Sequence, residues 1–495
     1  MSAPRHIVII GAGAGGLSAA CDLAGAGLAV TVLERAGAEG GKMRQVEAGG
    51  AKIDAGPTVF TMRWVFDQLF AAAGETFADH VALTPAQILA RHAWADGGAL
   101  DLFADAGASA DAISAFAGPR EGAAYLRFMA ECRDVHATLR DTFMTAPKPS
   151  AAGLVGRVGN LGAMMRTRPF DTYWQRLEAT FSDPRLRQLF GRYATYVGSS
   201  PFLAPATLML IAHVEQDGVW VPDGGMRAVA GALRGLAERR GAKFRLGADV
   251  REIRTAGGRA SGVVLSSGEQ IAADVVVFNG DTAALAAGLL GNGPRRAVDA
   301  APRNQRALSA VTWCVKARTR GLALSYHNVF FADEYSREFD DIFRQRRLPD
   351  APTVYICAQD RQGAKAPKGT ERLLVLINAP PDGDLEGAAL IETGARASTL
   401  ALLKRCGLEI EGGLEGAVVA TPASFNALYP GTGGALYGQA NHSPMASFAR
   451  PGAASKLPGL YLAGGSAHPG AGVPMATLSG RLAAARVLKD LGIRR

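Results

Sequence analysis

Residues 5–34 constrain this chain more than any other stretch. Arg5-His6-Ile7-Val8-Ile9-Ile10 is a short apolar run, Gly11-Ala12-Gly13-Ala14-Gly15-Gly16 follows it without a break, and Leu17 to Ala26 reads as a helix. A second apolar run, Ala29 to Leu33, ends at Glu34. Gly11, Gly13 and Gly16 fill a G-x-G-x-x-G pattern between strand and helix. Gly11 permits the tight turn, Gly13 lets backbone approach a pyrophosphate, and Gly16 lets helix pack close on strand. The helix N-terminus then faces the phosphates. Glu34, eighteen residues past Gly16, is placed to bond a ribose 2′-hydroxyl and to repel a 2′-phosphate. A glycine-rich turn without a ligand explains the glycines alone. It does not explain strand, glycines, helix, strand and acid in register.

The apolar strand begins almost at residue 1, with no charged region, apolar core and cleavage site before it, so secretion is not expected. No apolar run reaches the ~18 residues of a membrane span. The expectation is a cytoplasmic chain, or one that touches a membrane from that side. Cys21, Cys132, Cys314, Cys357 and Cys406 are far apart and form no C-x-x-C pair, which argues against a zinc site, a redox dithiol and a disulfide framework. A length of 495 residues is too great for one core, so two or three domains are expected. The net charge of +8 fits an anionic membrane surface or simple solubility at least as well as nucleic acid. No interleaved basic-aromatic stretch supports nucleic-acid binding.

The layout is discontinuous. Residues 1–61, 220–281 and 422–495 read as one nucleotide-binding domain. Residues 62–219 read as a mainly helical substrate or membrane-facing region, and 282–421 as the sheet of a substrate domain. Val221-Pro222-Asp223-Gly224-Gly225-Met226 marks the return of regular patterning, with a helix from Arg227 to Arg240, strands at 242–246 and 248–254, a turn at Gly257-Gly258, and a buried strand at 273–278. In the second insertion, 310–316, 353–358 and 373–378 read as strands. Leu460-Tyr461-Leu462-Ala463 is a last strand, and Met475 to Leu488 a last helix.

Between these two lies Gly464-Gly465-Ser466-Ala467-His468-Pro469-Gly470-Ala471-Gly472-Val473-Pro474, a second glycine-rich loop opening onto a helix. A nicotinamide enzyme needs one such element in its nucleotide half. An FAD enzyme needs two, the second directing the positive end of a helix at the flavin edge that reduction makes negative. Pro474 suits the start of that helix. An ordinary strand–turn–helix accounts for these residues alone, but not together with Gly40-Gly41-Lys42 and Asp54-Ala55-Gly56-Pro57-Thr58.

These segments, with Glu34-Arg35, Pro222-Asp223-Gly224-Gly225-Met226, Leu436-Tyr437-Gly438 and His468 to Pro474, resemble the carotenoid and retinoid oxidoreductases. The resemblance spans the chain with the motifs in family order. Val473-Pro474-Met475-Ala476-Thr477-Leu478-Ser479-Gly480 departs from the phytoene desaturase pattern and is similar to the 1-hydroxycarotenoid 3,4-desaturase subgroup of purple bacteria. The implied fold class is α/β, a Rossmann-type, GR2-like FAD-binding domain with a discontinuous α+β substrate domain and a helical membrane-facing part. The implied cofactor contacts are Gly11, Gly13, Gly16, Glu34, Arg35, Gly41, Lys42, Pro57, Thr58, Val250, Gly464, Gly465, Val473, Pro474 and Met475. Lys42 stands where amine oxidases of this fold carry Arg, and it offers phosphate a point charge in place of a fork. The implied substrate is a lipophilic acyclic carotenoid. The flavin must be reoxidised by an electron acceptor, a quinone or oxygen, that the sequence does not identify.

The chemistry needs a hydride acceptor, alignment and at most one base. His468 beside the flavin loop is the candidate base. It equally suits a role in fixing the loop through its ring nitrogens. The other histidines are scattered without metal spacing, and no metal is expected. A substrate living in lipid calls for a peripheral enzyme on the cytoplasmic face of the inner or intracytoplasmic membrane. The stretch 142–170 has no acidic residue and carries Lys148, Arg157, Arg166 and Arg168, with Leu154, Val158, Leu161 and Met165 at helical spacing and Phe170, Tyr173 and Trp174 beyond. It reads as an interfacial segment, or as a helix hairpin packed on the substrate domain. Two other functions share the fold, a flavin amine oxidase and a non-enzymatic lipid carrier. His468-Pro469-Gly470 argues against the first, the intact glycine loops against the second.

Overall fold

The computed structural model describes residues 5–361, 367–385 and 392–493. Its first layer is a five-stranded, all-parallel sheet in the spatial order Leu460–Leu462, Val275–Phe278, His6–Ile10, Ala29–Glu34, Lys243–Leu246. Strands from distant stretches of the chain thus meet in one sheet. Parallel strands covered on both faces read as continuous apolar runs, as 7–10 and 275–278 do. Successive side chains point to opposite faces. Ile7, Ile9, Val30 and Val32 join the core beneath the helices Ala14–Gly25, Met226–Arg239 and Val473–Asp490. Val8, Leu33 and Val276 face the other way, onto a three-stranded antiparallel meander of Val250–Ala256, Arg259–Leu265 and Gln270–Ala272. The meander turns at Gly257 and Gly258, whose φ of +56° and +75° suits glycine.

The second layer is a seven-stranded mixed sheet, ordered Val418–Ala420, Ser309–Ala317, Glu371–Ala379, Val354–Ala358, His327–Phe331, Ile88–Trp94, Ala99–Phe103. Only the pair 327–331 with 88–94 is parallel. The hairpin at 88–103 was not expected, since 62–219 reads as mainly helical. Its signal is Asp96-Gly97-Gly98, with Gly97 at φ +87° and Arg91 paired across the strands with Asp101 at 2.7 Å. An Asp-Gly turn of this kind is a strong hairpin signature. Apart from a short strand, Leu83–Pro85, the remaining regular structure of 62–219 is helical, led by Pro119–Leu139.

The stretch 142–170 is not one helix. Ser150 caps Ala151–Val158, Gly159 ends it in the left-handed region at φ +68°, and the Asn160 side chain caps Leu161–Arg166. Leu154 therefore points inward, while Leu161 and Met165 point out.

Candidate active site

Two glycine loops meet where two helices begin. The Gly11 N–H donates to the Leu33 carbonyl at 2.7 Å, turning the chain at φ +95°. A Cβ on Gly16 would lie 2.1 Å from the Gly11 carbonyl oxygen, and one on Gly15 would lie 2.7 Å from the Gly464 nitrogen. The loops are thus in backbone contact. Their helices lie side by side, with Ser18 Oγ donating to the Thr477 carbonyl at 2.8 Å. Asn279, which the sequence reading missed, ties the junction together. Its Nδ2 donates to the Gly11 carbonyl at 3.2 Å, and it would meet a Cβ on Gly13, Gly15 or Gly464. It sits one residue past the buried strand Val275–Phe278, a position with no motif to flag it.

Glu34 ends its strand buried. Its Oε2 accepts the Ala12 N–H at 2.7 Å and its Oε1 the Ala36 N–H at 2.9 Å. The carboxylate therefore braces the first glycine loop, with lone pairs left for a ribose. Val250 begins the meander just beyond the Ala248 N–H, which donates to the Glu34 carbonyl at 2.8 Å. Arg35 does not reach this junction; its guanidinium donates to the Ala427 and Leu428 carbonyls. The second glycine pair closes over the first loop. The Gly40 N–H donates to the Ala12 carbonyl at 2.8 Å, and a Cβ on Gly41 would sit 3.2 Å from Gly13 Cα. The Lys42 ammonium donates to the Leu436 carbonyl over the Tyr429 ring. Burial pulls its pKa down, opposed by Asp281 and assisted by Arg450.

Neither helix start carries a side-chain cap. Both ends leave N–H groups able to face a phosphate or a flavin edge. Together with the glycine contacts, this donor set fits an FAD molecule.

A cavity of about 410 Å³ runs from this junction. Its lining includes Pro57 and Thr58, with Val473, Pro474 and Met475 from the last helix, Val329, Leu374 and Leu376 from the seven-stranded sheet, and Leu154, Met164 and Thr167 from the helical region. In the same segment as Leu154 and Met164, Leu161, Met165 and Phe170 are exposed, the last by 74%.

His468 is not among the residues that line the cavity. Its Nε2 donates to the Ala146 carbonyl at 3.0 Å, its ring packs edge-on against Phe143, and Nδ1 has no partner. Burial takes its pKa down to about 4. Of the two roles expected for His468, this geometry matches loop fixing. A base must reach the proton it removes, and in this structure the ring faces Phe143 and Ala146.

The description "Flavin containing amine oxidoreductase" matches residues 14–488. The chain belongs to this family. Its cofactor is FAD. The chain is 53% identical to a hydroxyneurosporene desaturase of Rubrivivax gelatinosus, over 98% of this chain and 94% of that one. It is 30% identical to a 1-hydroxycarotenoid 3,4-desaturase of a Flavobacterium species, over 97% and 98%. An oxidoreductase structure from Methanosarcina mazei shares the fold at 17% identity and a TM-score of 0.61, covering 98% of this chain and all of that one.

Proposed function

We propose that this chain is an FAD-dependent carotenoid desaturase, forming a 3,4 double bond in acyclic 1-hydroxy or 1-methoxy carotenoids such as hydroxyneurosporene. The observation that carries this reading is 53% identity to a hydroxyneurosporene desaturase, sustained over 98% of the chain. The cavity supports it, since long aliphatic walls suit a polyene better than a small amine. Its FAD would be held by Gly11, Gly13, Gly16, Glu34, Gly41, Lys42, Pro57, Thr58, Val250, Gly464, Gly465, Val473, Pro474 and Met475, with Arg35 bracing the outer strand end.

Bound FAD supplies the hydride acceptor. Carbon 4 of the substrate is allylic to the polyene, so hydride loss there leaves a delocalised cation, and proton loss from carbon 3 completes the double bond. The protein aligns carbon 4, keeps water out and receives the proton. Substrate enters from lipid past Leu161, Met165 and Phe170, with the enzyme bound peripherally to the cytoplasmic face of the inner or intracytoplasmic membrane. A quinone or oxygen reoxidises the flavin. No described helix is long and apolar enough to cross a membrane.

Pigment extracts of a carotenoid-producing host, with and without the gene, test the reading. Expected is conversion of a 1-hydroxycarotenoid to a product with one more conjugated double bond and longer-wavelength absorption. Accumulated 1-hydroxycarotenoid left unchanged would overturn it.

A further inference from the structure

The cavity wall holds a polar chain that the binding of a hydrocarbon does not require. Tyr355 lies in the strand Val354–Ala358, opposite Val329 on one side and Leu376 on the other, and all three line the cavity. Its phenol oxygen is 2.7 Å from Thr58 Oγ1 and 2.7 Å from Nδ1 of His327. Thr58 also lines the cavity, directly after Pro57 on the flavin side. His327 does not line it; it is buried behind Tyr355, and its Nε2 has no partner. With the imidazole protonated at Nε2, Nδ1 accepts from Tyr355 and Thr58 donates to Tyr355. A phenol oxygen carries one proton and two lone pairs, so one lone pair then remains for the cavity.

We propose that Tyr355 is the catalytic proton acceptor of the reaction and that His327, bonded behind it, receives the tyrosine's own proton. This rests on the desaturase reading above. The C3–H bond breaks, and its electron pair becomes the second bond between carbons 3 and 4. The released proton joins Tyr355 Oη while the phenol proton passes to Nδ1 of His327. The tyrosine stays neutral throughout, and the two electrons of the oxidation leave carbon 4 with the hydride. When product leaves, the imidazolium returns its proton along the same bond to solvent in the cavity.

A weak base is adequate here, because a C–H beside a polyene cation is strongly acidic. Burial, with Arg192 nearby, takes the His327 pKa down to about 3. The ring therefore rests neutral, ready to accept, and does not keep the proton. The buried carboxylates around the cavity are otherwise engaged. Glu215 accepts from Arg192, Tyr193 and Tyr196, and Glu338 from the Thr353 N–H and Asn378.

The test uses FAD-loaded enzyme, with flavin content read by absorbance, and a 1-hydroxycarotenoid with or without deuterium at carbon 3. Tyr355→Phe should lower kcat by about 10²-fold or more with KM within about threefold of wild type. A deuterium isotope effect from carbon 3, absent or small in wild type, should appear in the variant. His327→Gln keeps a hydrogen-bonding partner for Tyr355 but cannot take a proton, and it should show the same split and the same isotope effect. It tests the pair even if the phenylalanine variant fails to fold. Unchanged kcat in either loaded variant overturns the relay. So does a loss confined to KM, or a loss of kcat without the isotope effect, either of which makes the pair a shaper of the cavity. A wild-type enzyme that leaves the carotenoid untouched overturns the desaturase reading itself, and the relay with it.

Discussion

Glu34 and His468 show how one residue can be found in the sequence and its task found only in space. The Glu34 carboxylate accepts two backbone N–H groups and retains lone pairs, so the ribose contact expected from its spacing and the bracing of the glycine loop share one side chain. Glu34→Ala removes charge-assisted bonds each worth about 1.5–3 kcal/mol. FAD affinity should then fall by one to two decades, at about 1.4 kcal/mol per decade, measured by flavin fluorescence on titration. Affinity unchanged in a folded variant would exclude the carboxylate from the cofactor site. For His468, the bond to Ala146 and the contact with Phe143 predict a structural loss. His468→Ala should cost about 1–3 kcal/mol of stability, read as a lower melting temperature. Its kcat should stay within about tenfold of wild type, whereas a proton acceptor would cost 10²–10⁴-fold. A kcat loss in that larger range with FAD bound would restore the catalytic role.

At the scale of elements, the segment 142–170 divides its labour between two short helices. The sequence pattern puts the membrane contact on its basic and apolar residues together. In the structure Arg157 donates to the Thr142 and Pro147 carbonyls, at 3.2 and 2.7 Å, and Arg168 pairs with Glu131 at 3.2 Å and with Asp171 at 3.8 Å. These two arginines hold the segment together. The segment's exposed groups include the apolar Leu161, Met165 and Phe170 alongside the basic Lys148 and Arg166. A large apolar side chain moved fully out of water contributes about 1.5–3 kcal/mol. Replacing all three with Ser should therefore lower vesicle binding by at least about tenfold even if each inserts only in part. Turnover of vesicle-borne substrate should fall with it, and the melting temperature should hold, because none of the three is buried. Flotation with vesicles that is insensitive to the triple substitution would return the segment to a purely structural role.

The whole molecule carries a set of neutral buried histidines. Burial takes His136, His442 and His468 down to about 4 and His327 to about 3. Their unfolded value is near 6.5. Above that pH the group is neutral in both states and the term vanishes. As pH falls from about 6.5 toward 4, the unfolded chain binds protons that the folded one refuses, so stability is lost, by up to about 1.4 kcal/mol per pH unit for each histidine. The melting temperature should accordingly drop steeply between pH 6.5 and 4.5. Replacing His442 with Gln should flatten that drop, and a flat profile in the parent enzyme would contradict neutral burial.

What the sequence determined is mainly what is local. Strand, glycine turn, helix and acid in 5–34 follow one another within a single βαβ unit, so periodicity and glycine spacing suffice to read them. The second glycine loop at 464–472 is legible for the same reason, and the helices Met226–Arg239 and Val473–Asp490 begin and end within two residues of expectation. Whatever depends on which distant stretches face one another had to wait for the tertiary structure. The hairpin 88–103 joins a sheet whose other strands begin more than 200 residues later, and nothing in its own pattern names that partner. Asn279 clamps two loops that lie far away on either side of it in the chain. His468 sits beside the flavin loop in sequence, yet its ring turns to Phe143 and Ala146, because a side chain's direction is set by the elements packed around it. Tyr355, His327 and Thr58 come together from three separate strands and loops, since adjacency across a sheet is a property of register and not of spacing along the chain.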